Sequence, residues 1–298
     1  LKLRIYILKK QQLIWAAVIL AAIIISLILV ITFKTKNTVN TISSKNTIRK
    51  YDVNNDGKRD SIEINIDEKT KKYMIDVISS DGNGYTLEPD PSIKSLGCFN
   101  SAWPMSITVK DINDDNSVEI ILQASDKNGP ILHVFEYNNG RMERIASGRY
   151  SIFGTLKDPS FNGTLAVLGY KKGSSIQFRF LGTSDGRYIP VVSTPSMTLG
   201  NNILSSVITY IEKKDVEAMS LNIQDKYANA ILKGNFLDAK LTDVKYTKYS
   251  IPTYCTYVLR TNVQNSSNEV ISYKVKLSLS KFDAENPEYK IADLTEIK

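Results

Sequence analysis

Leu13 to Phe33, LIWAAVILAAIIISLILVITF, is an unbroken uncharged run in which only Ser26 and Thr32 are polar. As a helix rising 1.5 Å per residue it reaches roughly 30 Å, enough to cross the hydrocarbon core of a bilayer. A buried core helix would be shorter and would carry a polar face. A cleaved signal peptide has an apolar stretch of roughly 7–15 residues before a small-residue cleavage site, whereas KTKNTVNT follows here. The segment is therefore read as an uncleaved signal anchor, a transmembrane helix over 13–33. Lys2, Arg4, Lys9 and Lys10 precede it, and Lys34, Lys36 and Lys45 follow. The positive-inside rule leans toward a cytoplasmic basic tail, 1–12, and a C-terminal portion outside the cytoplasm.

The formal net charge is +7, but residues 1–50 hold nine Lys and Arg and no acid, leaving 29 bases against 31 acids beyond them. The excess base sits around the anchor, where it meets anionic lipid headgroups. No basic patch points to a nucleic-acid partner. Cys98 and Cys255 fall in different segments and lack the number and spacing of a zinc site. They read as buried thiols, with an inter-domain disulfide as the alternative.

Residues 34–46, KTKNTVNTISSKN, are polar and aperiodic, a tether. From Thr47 to about Ser193, apolar runs of 4–8 residues alternate with Gly, Asn, Asp and Pro turns, among them SIEINI, KYMIDVI, VEIILQA, ILHVFEY, TLAVLGY and SIQFRFL. The turns DKNGP, NNG and SDG have hairpin chemistry. The runs sort into three groups of four, beginning near Thr47, Met105 and Tyr150. Four antiparallel strands repeating over roughly 40–50 residues have the look of a propeller blade, although three blades fall short of the usual closed ring of roughly 4–8. The expectation for 47–195 is an all-β, blade-like antiparallel domain of three four-stranded units.

Beyond STPSMTLGNN the period changes. Ile203, Leu204, Val207, Ile208 and Ile211 have helical spacing, with Asn202 as N-cap. A second helix is expected from near Asp215, covering Val216, Met219 and Leu221. Four long strands follow, KLTDVKYTKYS, TYCTYVLRTNV, EVISYKVKLSLS and EYKIADLTEI. Helices followed by a run of strands predict an α+β domain over 201–298, helices on one face of a curved antiparallel sheet.

The chemistry concentrates in two loops. DVNNDGKRD places Asp52, Asn54, Asp56 and Asp60 at positions 1, 3, 5 and 9, with Gly57 at 6. Ca²⁺ takes six to eight oxygen ligands, and alternate spacing lets positions 1, 3 and 5 converge on it. Gly57 permits the turn back, Lys58 offers a carbonyl from position 7, and Asp60 closes the site. DINDDNSVE repeats the pattern 59 residues on, with Asp111, Asn113, Asp115, the Ser117 carbonyl and Glu119. Asn116 stands for the glycine, Asn being the next best residue in a left-handed turn. One such loop also reads as plain Asx turns; two with matched spacing and matched strand exits point to a structural Ca²⁺ in each. Lys58 and Arg59 weaken cation binding at the first. Glu63 falls at the twelfth position of an EF-hand loop, but Leu122 is its counterpart and no helix flanks either loop. Glu63 therefore reads as a bystander on the strand face opposite Ile62 and Ile64.

ITVKDINDDNSVEIIL and IRKYDVNNDGKRDSIEI resemble the FG-GAP/VCBS repeat, a strand, an acidic loop and a second strand. The resemblance covers residues 47–148. It implies a β-propeller-like fold, Ca²⁺ in the loops and an extracellular or cell-surface setting. FGTLKDPSFNGTLAVLGY, in the third unit, keeps only Asp158 of the acids. VITYIEKKDVEAMSLNI and the long strands after it resemble the NTF2-like (cystatin-like) fold, whose membrane-anchored bacterial members serve as assembly modules and some of whose members are enzymes. Tyr246, Tyr249, Tyr254, Tyr257 and Tyr273 would line a cavity in that case; as strand residues they read more simply as part of a half-buried sheet.

His133, the single histidine, sits mid-strand in ILHVFEY and reads as packed rather than catalytic. No Gly-x-Ser-x-Gly or phosphate loop is present. The sequence thus predicts a non-enzymatic, membrane-anchored, extracytoplasmic binding or scaffold protein that takes a protein or cell-wall partner. Homo-oligomerisation through 201–298 is compatible with that role. The Lys-, Asn- and Ile-rich composition resembles that of low-GC clostridial proteins, which suggests a Gram-positive envelope or sporulation setting. The alternative is an envelope enzyme acting on polysaccharide or peptidoglycan, marked by two carboxylates in a pocket outside the acidic loops.

Overall fold

A computed structural model describes residues 40–41, 47–159, 161, 163–184, 187–192, 195–214, 225–248, 250–263, 269–283 and 287–297. The expected anchor over 13–33, and the helix expected from Asp215 through Leu221, lie outside them. Among the described residues no helix is long and apolar enough to cross a membrane. Residues 39–298 form one compact unit, and its described residues are mostly β-sheet with two α-helices.

Strand β1 (Asn40–Thr41) pairs with a later strand. Then β2 (Thr47–Tyr51), β3 (Asp60–Ile66), β4 (Tyr73–Ile78) and β5 (Gly84–Thr86) form a four-stranded antiparallel sheet in chain order. Alternation decides its faces: Ile62, Ile64 and Ile66 are buried, while Ser61, Glu63 and Asn65 between them are only partly so. Next, β6 (Ser106–Lys110), β7 (Glu119–Asp126), β8 (Gly129–Asn138) and β9 (Arg141–Gly148) join β1 in a five-stranded sheet, order β1-β6-β7-β8-β9. These two sheets pack face to face over Ile62, Ile75, Val77, Ile107, Ile120 and Phe135. From Glu119 to Ser125, β7 is buried without a break. Its odd residues explain this: Ile121, with Leu132 and Val134 of β8, packs the other way against Phe153, Ala166 and Leu168. A strand covered on both faces loses its polar alternation.

The third group is β10 (Ile152–Leu156), β11 (Leu165–Lys172), β12 (Ser175–Ser184) and β13 (Arg187–Val191). It has the four antiparallel strands that were expected, but it is not a separate unit. Strand β10 pairs in parallel with β14 (Gly234–Tyr246), and the sheet continues through β15 (Pro252–Val263), β16 (Val270–Lys281) and β17 (Glu288–Ile297) to eight strands. Gly154 permits the junction: a Cβ there would lie 2.4 Å from that of Leu241. The merger pairs two edges that would otherwise be open to other chains.

Helix α1 (Asn201–Lys213) covers the far face of this sheet, burying Ile203, Leu204, Val207, Ile208 and Ile211, the residues its periodicity predicted. Its start differs from expectation. Gly200, at φ 70°, is the N-cap and has no side chain to cap with; Asn202 lies inside the first turn, its Oδ1 accepting from Ile203 N at 2.8 Å, and does not hold the N-cap position. The cause is close packing: a Cβ on Gly200 would sit 2.6 Å from Leu277. Lys214, also left-handed, ends the helix with its N–H on the Tyr210 carbonyl. A second helix, α2 (Asp225–Ala230), follows. Tyr257 and Tyr273 are wholly buried core residues, their hydroxyls bonded to Leu199 O and Leu232 N. Tyr254 is exposed under Lys276, and Tyr249 lies outside the described residues.

Polar ties, centred on an ion pair within the eight-stranded sheet, link that sheet to the five-stranded one and to the segment just before β6. Arg260 makes a bidentate pair with Asp238 at 2.7 and 2.5 Å and donates to Pro104 O. Trp103 Nε1 donates to the same Asp238, Gln123 Nε2 to Ala239 O, and Lys240 to Thr108 Oγ1.

Candidate metal centre

Loop 52–60 joins β2 to β3 and loop 111–119 joins β6 to β7, closed by the register pairs Tyr51–Asp60 and Lys110–Glu119. The backbone does the same thing in both. Positions 4 and 6 take positive φ: Asn55 at 57° and Gly57 at 82°, Asp114 at 63° and Asn116 at 70°. Asn116 therefore fills the glycine position in the conformation expected of it.

The hydrogen bonds repeat as well. The N–H of position 6 donates to the first carboxylate, Gly57 to Asp52 at 3.0 Å and Asn116 to Asp111 at 3.1 Å. The N–H of position 7 donates to the fifth, Lys58 to Asp56 and Ser117 to Asp115, both at 2.7 Å. The position-3 amide bridges to the same group, Asn54 to Asp56 and Asn113 to Asp115. The N–H of position 2 donates to the ninth-position carboxylate, Val53 to Asp60 at 2.7 Å and Ile112 to Glu119 at 2.8 Å. That second position is apolar and buried in both loops. The pattern DV…/DI… carried this signal, and reading the oxygen positions alone passes over it. Asp56, whose carboxylate receives the Lys58 N–H and the Ser80 hydroxyl, is held below the usual carboxylate range.

The loops part at position 9. Asp60 spends both oxygens on backbone: Oδ2 on Val53 and Asn54, Oδ1 on Ser80 N at 2.9 Å. Glu119 is fully buried, yet Oε1 has no hydrogen-bond partner. It borders a recess of about 320 Å³ that also takes in Asn113, Asp115, Ser117, Glu136 and Tyr188. Burial, with the Asp115, Asp111 and Glu136 charges behind it, pushes the Glu119 carboxyl up to about 8. Glu136 is raised for the same reasons, burial first and then Asp115 and Glu143. The Tyr188 hydroxyl, also without a partner, is raised by burial and by those carboxylates.

Among the described residues no three His, Cys, Asp or Glu side chains are drawn together around a common point that would hold a metal ion. The loop carboxylates accept hydrogen bonds from backbone N–H groups of their own loops. Asp and Asn oxygens are the donors a hard cation such as Ca²⁺ takes, and each keeps a lone pair beyond the N–H it accepts. Loop 111–119 adds a buried carboxylate oxygen without a hydrogen-bond partner, a feature that fits a cation. Here Asp111, Asn113, Asp115, Ser117 and Glu119 would hold the ion, and in loop 52–60 Asp52, Asn54, Asp56, Lys58 and Asp60. A bound ion would supply positive charge that keeps Glu119 ionised. Glu63 is only half-buried on the opposite strand face and does not face the site.

Elsewhere, His133 is fully buried, its Nε2 donating to Ser95 O at 3.0 Å and its Nδ1 accepting from Ser147 Oγ at 2.8 Å. Burial lowers its pKa, so it is a neutral structural residue. Cys98 and Cys255 are both free thiols. Burial raises the Cys255 thiol above its usual range. No protein-family model matches the chain, and no curated protein matches it as a relative.

Proposed function

We propose that this is a membrane-anchored, extracytoplasmic binding or scaffold protein whose stacked β-sheets are braced by Ca²⁺ at the acidic loops, in the manner of FG-GAP/VCBS repeats. The 13–33 segment is the anchor. The sheets and the α+β portion present a surface to a protein or cell-wall partner in a Gram-positive envelope, with sporulation as one setting. Self-association through 201–298 is compatible with that role. The observation that carries the reading is the orphaned Glu119 oxygen in a loop that otherwise repeats the hydrogen bonds of loop 52–60. Two features weigh against the envelope-enzyme alternative. Both ring nitrogens of His133 are engaged. The recess offers one carboxylate from outside the acidic loops, Glu136, where that chemistry calls for two.

Thermal melts of the full chain in detergent, with millimolar Ca²⁺ and with chelator, test it. A ligand binding the native form alone at a hundred times its Kd stabilises by about 2.7 kcal/mol. At this chain length, that raises Tm by about 5–10 °C. No shift at millimolar Ca²⁺ refutes the bracing role.

A further inference from the structure

The loop motif ends at Glu119, but the recess does not. Glu119 and Glu136 flank the last register pair of β7 and β8, Ile120–Phe135, and line the same recess. Two ionised carboxylates so placed on neighbouring strands would destabilise the sheet, and no described hydrogen bond reaches Glu119 Oε1 or Glu136. Tyr188, brought by β13 from the eight-stranded sheet, lines the same recess, and its buried hydroxyl has no hydrogen-bond partner. Two carboxylates and a phenol from three strands line one recess together with Asn113 and Asp115, an oxygen-rich lining of the kind a hard cation takes.

Resting on the Ca²⁺ reading above, we propose that Glu136 is a further ligand of the loop 111–119 cation and that Tyr188 donates its hydroxyl to the Glu119–Glu136 pair. Cation binding then fastens the five-stranded sheet to the eight-stranded one. Partners of this kind fix the orientation of ligating carboxylates, and their loss weakens metal affinity about 10–100-fold. Loop 52–60 has no counterpart, because Ser80 N already occupies the equivalent oxygen of Asp60.

The test is calorimetric Ca²⁺ titration of the full chain in detergent, in an Asp52→Ala background that silences loop 52–60. Glu136→Gln, nearly isosteric, is expected to weaken Ca²⁺ binding at least tenfold, Glu136→Asp to restore part of it, and Tyr188→Phe to weaken it about tenfold. Glu136→Gln at unchanged affinity, in a protein where Asp111→Ala abolishes binding, overturns this proposal and leaves the loop site standing. Asp111→Ala at unchanged affinity overturns the loop site itself, and this proposal with it. Tyr188→Phe that binds Ca²⁺ as tightly as the parent removes the phenol from the clamp. Melting curves without Ca²⁺ separate any loss of fold from loss of ligand.

Discussion

In loop 52–60 the ninth-position carboxylate, Asp60, accepts three backbone N–H groups, from Val53, Asn54 and Ser80; in loop 111–119 Glu119 accepts one, from Ile112. Glutamate's extra methylene carries its carboxylate farther from the backbone, toward β8 and β13 rather than onto the neighbouring turn. The buried second residues diverge in the same way. Val53 packs between the four- and five-stranded sheets, and Ile112 packs where the five-stranded sheet meets the eight-stranded one. One loop is thus finished by its own backbone, and the other stays open in a joint between sheets. Equal spacing of oxygen residues specifies the turn; the length of the closing side chain and the neighbours it reaches specify whether a charge is left over.

The strongest attack on this contrast is at Asp60. Asp60→Ala leaves three N–H groups without their acceptor, and hydrogen bonds to a charged group contribute about 1.5–3 kcal/mol each. The losses overlap, so the expected cost is about 3 kcal/mol in the Ca²⁺-free protein, read as a lower urea midpoint. An unmoved midpoint would show that loop 52–60 is not self-supporting. The matching change in the other loop should carry the opposite sign. Glu119→Gln keeps an oxygen for the Ile112 N–H and removes an ionisable group that burial disfavours. Its Ca²⁺-free stability is expected to hold or to rise by about 1 kcal/mol, while the Ca²⁺-dependent rise in Tm shrinks. If Glu119→Gln destabilises as much as Asp60→Ala, the two loops are equivalent after all.

A smaller effect sharpens the difference in neighbourhood. Lys240 of β14 donates to Thr108 of β6, the strand that leads into loop 111–119. Burial brings its pKa down from 10.5 to about 7, outweighing the attraction of Asp238. Between those values the unfolded chain holds a proton that the folded chain has released, so this residue makes stability rise with pH through that window. Below about 7 both states hold it, and the cost of burying the charge is complete. The Ca²⁺-free protein should therefore melt higher at pH 9 than at pH 7 by more in the parent than in Lys240→Met. Equal slopes would mean that Lys240 is well solvated and that the seam beside loop 111–119 is open.

Much of this is legible in the chain. Alternation in SIEINI gave the faces of β3, and the spacing from Ile203 to Ile211 gave α1. The matched spacing of the two loops is legible as matched turns, with positive φ at positions 4 and 6 of both. What was hidden is long-range. Glu136 and Tyr188 meet Glu119 only because β7, β8 and β13 are brought together by sheet packing, and no local pattern encodes that. The continuation of the third unit into the C-terminal strands had one trace, the mid-strand glycine at 154, a mark of close backbone approach. The tyrosines of β15 and β16 read as sheet residues, and Tyr257 and Tyr273 are buried more deeply than a half-buried sheet implies, because helix α1 and its neighbours cover that face.

The smallest test concerns the fourth loop position, which is not a ligand position in either loop. Asp114 bonds Lys157 at 2.8 Å and Thr164 Oγ1 at 2.7 Å, tying loop 111–119 to the chain between β10 and β11. Asn55 holds that place, with the same left-handed backbone, in loop 52–60. Asp114→Asn is the appropriate change, since Asn tolerates that backbone and still accepts from Thr164. Asp114 and Lys157 are largely exposed, and exposed ion pairs are worth about 0–1 kcal/mol. Asp114→Asn is thus expected to cost under about 1 kcal/mol at low salt and nothing measurable near 1 M NaCl, where screening reaches about 3 Å. Ca²⁺ affinity should stay within about twofold, the loss of one nearby negative charge being the residual effect. A tenfold loss would instead place Asp114 among the ligands, which would give loop 111–119 an oxygen that loop 52–60 has only as an amide.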